Sequence, residues 1–402
     1  MAKPPVSLMD RNVPTQLDPE DLEAEIELEL PGALQPKEVG EIEVEMEDDG
    51  GAVIDFDPEA TAAESTPQDF YSNLAESMSD QELSRLAGEL MSEYEANKSS
   101  RQEWEDAFAN GLELLGFNYS ERSEPFNGAT GVTHPLLAEA AVQFQAQAFN
   151  ELLPAGGPVR TSIVGATTRE TEDQSQRVKD FMNYYITNVM EEYTPEFDQM
   201  LFYLPLAGST FKKVYYDGSL DRAVSKFVPA ENLIVPYEAN DLETCPNITH
   251  VVKINLNELK KQQVSGFYLD IPVLPQQGES SSLSQEINEL SGVEPSQIDY
   301  DCTLLECHVD LDLEGYEDMG QDGEPTGIKI PYIVTISQDN GEILAIRRNF
   351  AEADKQKKKI QYFVHYKFLP GFGFYGLGLI HTIGGLSRTA TAALRPVSYT
   401  HL

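Results

Sequence analysis

EPFNGATGVTHPLLAEAAVQFQAQAFNELLPAGGPVRTSIV, Glu124 to Val164, reads as a glycine-rich loop, one helix, a Pro/Gly stop and a β-rich run. Leu136, Leu137, Ala140, Ala141, Phe144, Ala148 and Leu152 recur at helical spacing and predict the buried face. Pro135 suits the first turn, where its missing N–H costs nothing. Gln143, Gln145, Gln147, Asn150 and Glu151 fall on the other face, which is mostly uncharged. A lone soluble domain usually places Lys and Glu there. A Gln/Ala-rich second face suits packing against something else, and Gln143, Gln147 and Asn150 are the candidate residues for contact with another copy of the chain.

The 402 residues carry 68 acidic and 28 basic side chains, a formal net charge of −40. Ordinary sequence-independent DNA binding needs clustered Lys and Arg to displace counterions from phosphate, so this balance argues against it. It suits solubility, or a surface that repels a passing duplex. Three cysteines, Cys245, Cys302 and Cys307, are too few and too odd in number for a disulfide framework. Met1 to Pro31 lacks the apolar stretch of a signal peptide. Phe368 to Ile383, the longest mainly apolar run, is too short and glycine-dense to span a bilayer, so no membrane contact is expected.

Residues 1–66 hold 19 acids and 3 bases. Glu23–Leu30 and Glu41–Glu47 alternate acids with apolar residues. A strand would crowd like charges on one face, so a disordered acidic arm is the favoured reading. The folded body starts near Pro67. Ser79 caps a helix carrying Leu83, Leu86, Leu90 and Tyr94. After an interruption at Lys98–Ser100, Trp104, Ala107, Phe108, Leu112 and Leu115 continue it. A second strong helix spans about Gln174–Tyr193, with Val178, Phe181, Met182, Tyr185, Ile186, Val189 and Met190 on one face. A third begins near Pro195 and kinks or ends at Pro205.

From Ser209 the pattern turns to strands. Phe211–Tyr216 and Ala223–Val228 flank Asp217-Gly218 as a hairpin. Asn232–Val235 and Ile248–Ile254 follow, then a short helix at Asn255–Gln263. Gln276–Ser296 reads as a loop or frayed helix. Tyr300–Leu313 alternates as a strand, Tyr332–Ile336 and Ile343–Arg348 pair around Asp339-Asn340-Gly341, and Gln361–Phe368 is a further strand. A helix starts at about Leu386–Arg395.

No constellation points to chemistry. Cys302, Cys307 and His308 lack metal-site spacing, and the two thiols face opposite sides of an alternating strand. Gly371, Gly373, Gly376 and Gly378 form no phosphate loop, because no Lys follows to reach a phosphate. Such a run more often lets backbones approach closely. None of the six histidines sits in a metalloprotease or nucleophile-elbow pattern. No catalytic residue, cofactor or metal is therefore expected. Lys355, Lys357, Lys358 and Lys359 (KQKKK), with Arg347 and Arg348 nearby, form the only basic cluster. It reads first as a solvated hairpin end, and second as the one place able to hold DNA or an acidic partner.

Three blocks carry a resemblance. RSEPFNGATGVTHPLLAEA with ELLPAGGPV lies in Arg122–Gly165. DQMLFYLPLAGSTFKKVYYD with VPAENLIVP lies in Asp198–Pro236. FGFYGLGLIHTIGGLSRTATAALR spans Phe372–Arg395. In order and spacing, over about Ser79–Arg395, they resemble the portal (head-to-tail connector) protein of short-tailed, P22-like or podovirus-type bacteriophages. The resemblance implies a structural ring, typically of twelve subunits, at one vertex of an icosahedral head in the virion, assembled in the host cytoplasm. Double-stranded DNA passes through its channel. Its partners would be the terminase large subunit, major capsid and scaffolding proteins, and head-completion or tail adaptor proteins, and it would hydrolyse nothing itself. Relatives of this kind run past Arg395, so the chain is expected to be a fragment, with a non-native tail at 396–402 set off where Pro396 stops the helix.

The expected fold class is α+β: a helical section at 67–208, a strand- and hairpin-rich section at 209–370, and a glycine-rich turn with the start of a long helix at 371–395. An acidic capsid-associated or scaffold-like interaction protein without a channel, and a DNA-processing enzyme such as a nuclease, are the rival readings.

Overall fold

Ser79 opens the first long helix with a reciprocal cap: its side chain accepts from the Glu82 N–H, and the Glu82 carboxylate accepts from the Ser79 N–H at 3.2 Å. The computed structural model describes residues 43–46, 52–55, 70–116, 133–218, 220–273, 282–291, 301–320 and 324–400. Among these are eight α-helices: α1 Asp80–Ser100, α2 Gln102–Leu112, α3 Leu136–Leu152, α4 Arg169–Tyr184, α5 Tyr193–Ala207, α6 Leu256–Val264, α7 Ser282–Ser291 and α8 Leu379–Thr400. The strands are β1 Glu43–Met46, β2 Ala52–Asp55, β3 Ser209–Asp217, β4 Arg222–Pro229, β5 Leu233–Ile234, β6 Asn247–Asn255, β7 Asp301–Leu311, β8 Ile330–Ser337, β9 Ile343–Arg348 and β10 Phe363–Lys367. The fold is α+β, with every sheet antiparallel.

Two units divide the chain, 1–68 and 69–402. In the first, β1 pairs with β2 in the register Glu43↔Asp55. Within Glu41–Glu47 the described residues, Glu43–Met46, take the strand alternative instead of the favoured disorder. The remainder of the arm, including Glu23–Leu30, lies outside the described residues, as do the glycine-rich loop Phe117–Gly131 and the ends of Gln276–Ser296.

The second unit holds a five-stranded sheet, β5-β6-β7-β8-β9, and a three-stranded sheet, β10-β3-β4. Helix α1 lays Leu86, Leu90 and Tyr94 on one face of the larger sheet, against Leu305, Cys307, Val334, Ile336 and Ile346. The cap contributes about 1 kcal/mol, whereas each large apolar side chain buried adds about 2 kcal/mol. Packing, not capping, therefore decides where α1 lies. The opposite face meets α6 through Leu259, Cys302, Leu304 and Leu344. Cys302 and Cys307 accordingly lie in different cores, as strand alternation requires, and all three cysteines are buried and outside any disulfide.

A separate core gathers α2, α3, the end of α5, the three-stranded sheet and the start of α8 around Phe108, Leu137, Ala141, Phe211, Val228, Phe374, Tyr375 and Ile380. Its tightest seam is backbone on backbone. Gly208 ends α5 at φ 84°, and a Cβ on Gly376 would stand 2.4 Å from the Gly208 carbonyl oxygen. The N–H of Gly376 donates to Ser209 Oγ at 2.7 Å, that of Leu377 to Leu369 O at 2.9 Å, and that of Gly378 to His381 Nδ1 at 3.1 Å. These N–H groups are spent inside the fold, as the close-approach reading of the glycine run predicts.

Two boundaries expected at prolines lie elsewhere. Helix α5 passes through Pro205 and stops at Gly208, because a proline in the last turn forfeits one bond of a ladder already ending. Helix α8 starts seven residues before Leu386 and runs through Pro396 to Thr400, so Pro396 does not stop it. Of the two readings of Gln276–Ser296, loop or frayed helix, its described part takes the helical one as α7, whose Leu283 joins the core.

Arg101 stands at the break between α1 and α2 and is only 1 % exposed. Its guanidinium donates to the carbonyls of Ala230 (2.8 Å), Glu231 (2.7 Å) and Leu233 (2.9 Å) and to Tyr375 Oη (2.8 Å), and pairs with Glu105 at 2.6 Å. Trp104 stacks on Tyr375 at 4.8 Å. Removing a buried charge and leaving its acceptors and Glu105 unpaired costs about 3–5 kcal/mol. Arg101→Ala is expected to lower the urea midpoint by that equivalent, and Arg101→Lys to recover only part, because an ammonium cannot reproduce the planar fork.

Candidate functional site

The sequence offers two candidate surfaces, and the structure treats them differently. KQKKK lies not at a hairpin end but in the crossover 349–362, which carries the chain from β9 in the larger sheet to β10 in the smaller. Asp354 organises the turn: its carboxylate accepts the N–H groups of Gln356 and Lys358, both at 2.9 Å, and these bonds hold its carboxyl below the usual range. Lys357 takes a left-handed φ of 50° and pairs with Asp318. Lys359 Nζ donates to the Cys245 carbonyl at 2.6 Å. Lys355 and Lys358 stay exposed. Of the four candidate lysines, two therefore fasten the crossover and two face solvent.

The neighbouring arginines are also occupied. Arg347 donates to Tyr71 O (2.7 Å) and Phe267 O (2.8 Å), and Arg348 to Phe70 O (2.8 Å) with its guanidinium over the Phe70 ring. They clamp residues 70–71 onto the sheet edge and add nothing to a basic patch.

On α3 the uncharged face is real. Glu139, Val142, Gln143, Ala146, Gln147, Asn150 and Glu151 are exposed. Gln143 Nε2 reaches Glu139 at 3.2 Å and Asn150 Nδ2 donates to Ala146 O at 2.8 Å, so both amides satisfy themselves along the helix. Gln145 is the exception, since it turns to α5 and donates to Asp198 Oδ1 at 2.8 Å. Leu152, expected in the core, is 52 % exposed.

Helix α4 forms where about Gln174–Tyr193 was expected, shifted to Arg169–Tyr184, and its apolar face is open. None of its residues is buried, and Val178, Phe181 and Met182 are 47, 60 and 37 % exposed. A reciprocal Thr168–Thr171 cap starts it. Asn183 holds the preceding segment by accepting from Val159 N at 2.8 Å and donating to Val159 O at 3.2 Å. After Tyr184 the backbone opens into a π turn, Tyr185–Val189. Tyr185 Oη accepts from Ala223 N at 2.9 Å, which anchors this end on β4. Between α4 and residues 154–163 lies an open groove of about 620 Å³, edged by Arg160, Glu172 and Lys179.

Sequence reading missed the buried charges. Lys213 on β3 pairs with Glu306 on β7 at 2.6 Å, joining the two sheets. His308 Nε2 lies 2.7 Å from the same carboxylate and His250 Nδ1 3.8 Å. Burial alone would raise the Glu306 carboxyl, but Lys213 and the imidazoles outweigh it and hold it well below the usual range. Burial pushes both imidazoles down. Lys212 is 2 % exposed, makes no hydrogen bond through Nζ, and lies 4.1 Å from the centroid of the Tyr193 ring; burial lowers it to about 8. The available signal was a charged residue inside a β-rich apolar run, in TFKKVYY and LLECHV.

Among the described residues no group of three or more His, Cys, Asp or Glu is placed to hold a metal ion, and no helix is long and apolar enough to cross a membrane. No protein-family model matches the chain, and no curated protein matches it.

The histidines make stability depend on pH. Below about 6.5, their ordinary value, the unfolded chain binds protons that the folded His250 and His308 refuse. Stability therefore falls as pH drops through that range, and falls further below 4.5 as Glu306 loses its advantage. Urea midpoints measured from pH 7.5 to 5 are expected to decline, and His308→Asn to flatten the decline.

Proposed function

We propose that the chain is a subunit of a phage portal: a structural ring at one capsid vertex that passes double-stranded DNA and docks the terminase large subunit, then head-completion or tail adaptor proteins, with capsid and scaffolding proteins around it. One observation carries the reading. The three blocks that resemble portal proteins are far apart in the chain, yet they supply one core: Leu137 and Ala141 from the first, Leu206, Ala207, Phe211, Val228 and Leu233 from the second, and Phe374, Tyr375 and Ile380 from the third. Thr391 Oγ1 accepting from His134 N at 3.0 Å ties the first block to the third. Blocks that pack together resemble a fold, not three coincidental strings. The net charge of −40 suits a channel that must not grip a sliding polyanion, and the exposed uncharged face of α3, with Gln143, Gln147 and Asn150, suits contact between subunits.

Negative-stain imaging of the purified 402-residue protein tests the reading. Rings with a central hole wide enough for a duplex are expected. Monomers at all concentrations, or divalent-metal-dependent cleavage of DNA, would overturn it.

The lysine crossover divides into two classes by experiment. Lys355→Glu with Lys358→Glu is expected to leave the melting temperature unchanged and to reduce packaging in a complementation assay. Lys359→Glu is expected to lower the melting temperature, because it removes the bond to the Cys245 carbonyl.

A further inference from the structure

From Leu153 to Val189 no residue is buried, although the segment contains the sixteen-residue helix α4. A helix of that length is marginal by itself in water, and most helical stability comes from packing an amphipathic face. Here the apolar face is present and uncovered. Val178, Phe181 and Met182 stand at i, i+3 and i+4, one exposed stripe on one side, and Tyr185, one turn further on, ties its end to β4. An exposed stripe of this kind marks a contact surface.

Charge selects what covers it. The chain carries −40, but Leu153–Met190 holds four bases, Arg160, Arg169, Arg177 and Lys179, against four acids, Glu170, Glu172, Asp173 and Asp180. Copies of a strongly acidic chain repel one another except where their facing surfaces carry little charge. The α4 region is one such surface. The exposed face of α3 is another: Val142, Gln143, Ala146, Gln147 and Asn150 are uncharged, and carboxylates stand only at its ends, Glu139 and Glu151. The two differ in a complementary way. One is an apolar stripe flanked by Arg177 and Lys179; the other is a flat uncharged face ending in acids. Two unlike faces that fit each other make a head-to-tail contact, and such contacts close into rings when the rotation permits.

Resting on the ring reading above, we infer that the Val178–Phe181–Met182 stripe of α4 docks on a second copy of this chain, seated on that copy's uncharged α3 face. The contact is heterologous: α4 of each subunit covers α3 of the next.

The test uses the full chain. Phe181→Glu is expected to weaken self-association at least tenfold in sedimentation velocity, with an unchanged urea midpoint because Phe181 packs into no core. Val142→Cys and Phe181→Cys chains are then made separately and mixed with a short bismaleimide. The native cysteines are buried, which keeps the background low. Cross-linked dimers are expected in the mixture and not in either chain alone. If Phe181→Glu assembles like the wild type, the docking surface is wrong while the ring reading stands. If the wild type is monomeric at every concentration, the ring reading falls and the docking with it. If Phe181→Cys cross-links to itself, or the mixture gives no dimer, the α3 seat is wrong.

Discussion

Arg101 brings a full charge to a place that water does not reach, and the structure around it is arranged to receive that charge. Three backbone carbonyls, a tyrosine hydroxyl and a carboxylate converge on one guanidinium. The carbonyls come from residues 230–233, the link that leaves β4 and the first residue of β5. The hydroxyl comes from the glycine-rich run before α8, and the carboxylate from the next turn of α2. Tyr375 is itself held by donating to Leu233 O at 3.0 Å and accepting from Val235 N at 3.2 Å. A planar cation with fixed donors sets distances and angles among these segments at once, which apolar packing alone does not do.

The two other joins obey the same logic with different materials. Between the sheets, Lys213 and Glu306 neutralise each other where either alone would be prohibitive to bury. Between α5 and the run before α8, the absence of side chains is the fastening, since the Gly208 and Gly376 backbones touch where any Cβ would intrude. The exposed candidates sit on this frame without helping to build it. Lys355, Lys358, the outer face of α3 and the stripe of α4 are all free to differ without disturbing a core.

Local pattern made the elements legible more readily than their partners. The bounds of α3, the Ser79 cap, the hairpins around Asp217-Gly218 and Asn340-Gly341, and the opposed cysteines follow from spacing and turn chemistry that each segment contains in itself. What covers a face is not local information. The spacing of Val178, Phe181 and Met182 is that of a core helix, and periodicity is blind to whether the covering surface belongs to the same chain. Arg101 looks in sequence like a solvated residue at a helix break, because nothing nearby announces carbonyls 130 residues away. KQKKK looks uniformly basic, and only the positions of Asp318 and the Cys245 carbonyl separate its fastened lysines from its free ones. Pro396 marks the converse case, a strong local signal that the surrounding helix overrides.

The crossover from β9 to β10 has a consequence for how the protein comes into being. β10 completes the small sheet by pairing with β3, Phe363 opposite Lys213. Asn73, near the start of the second unit, donates to Leu344 O and accepts from Ile346 N. Neither sheet can therefore be finished from the earlier two-thirds of that unit. Emerging from the ribosome, the helices and the β3–β4 hairpin wait with their apolar faces open until the strands near residue 365 arrive. Closing such long loops is slow, and the waiting surfaces are prone to pair with those of another nascent chain. A high negative charge, densest in residues 1–66, the first made, keeps those unfinished copies apart until each has closed on itself.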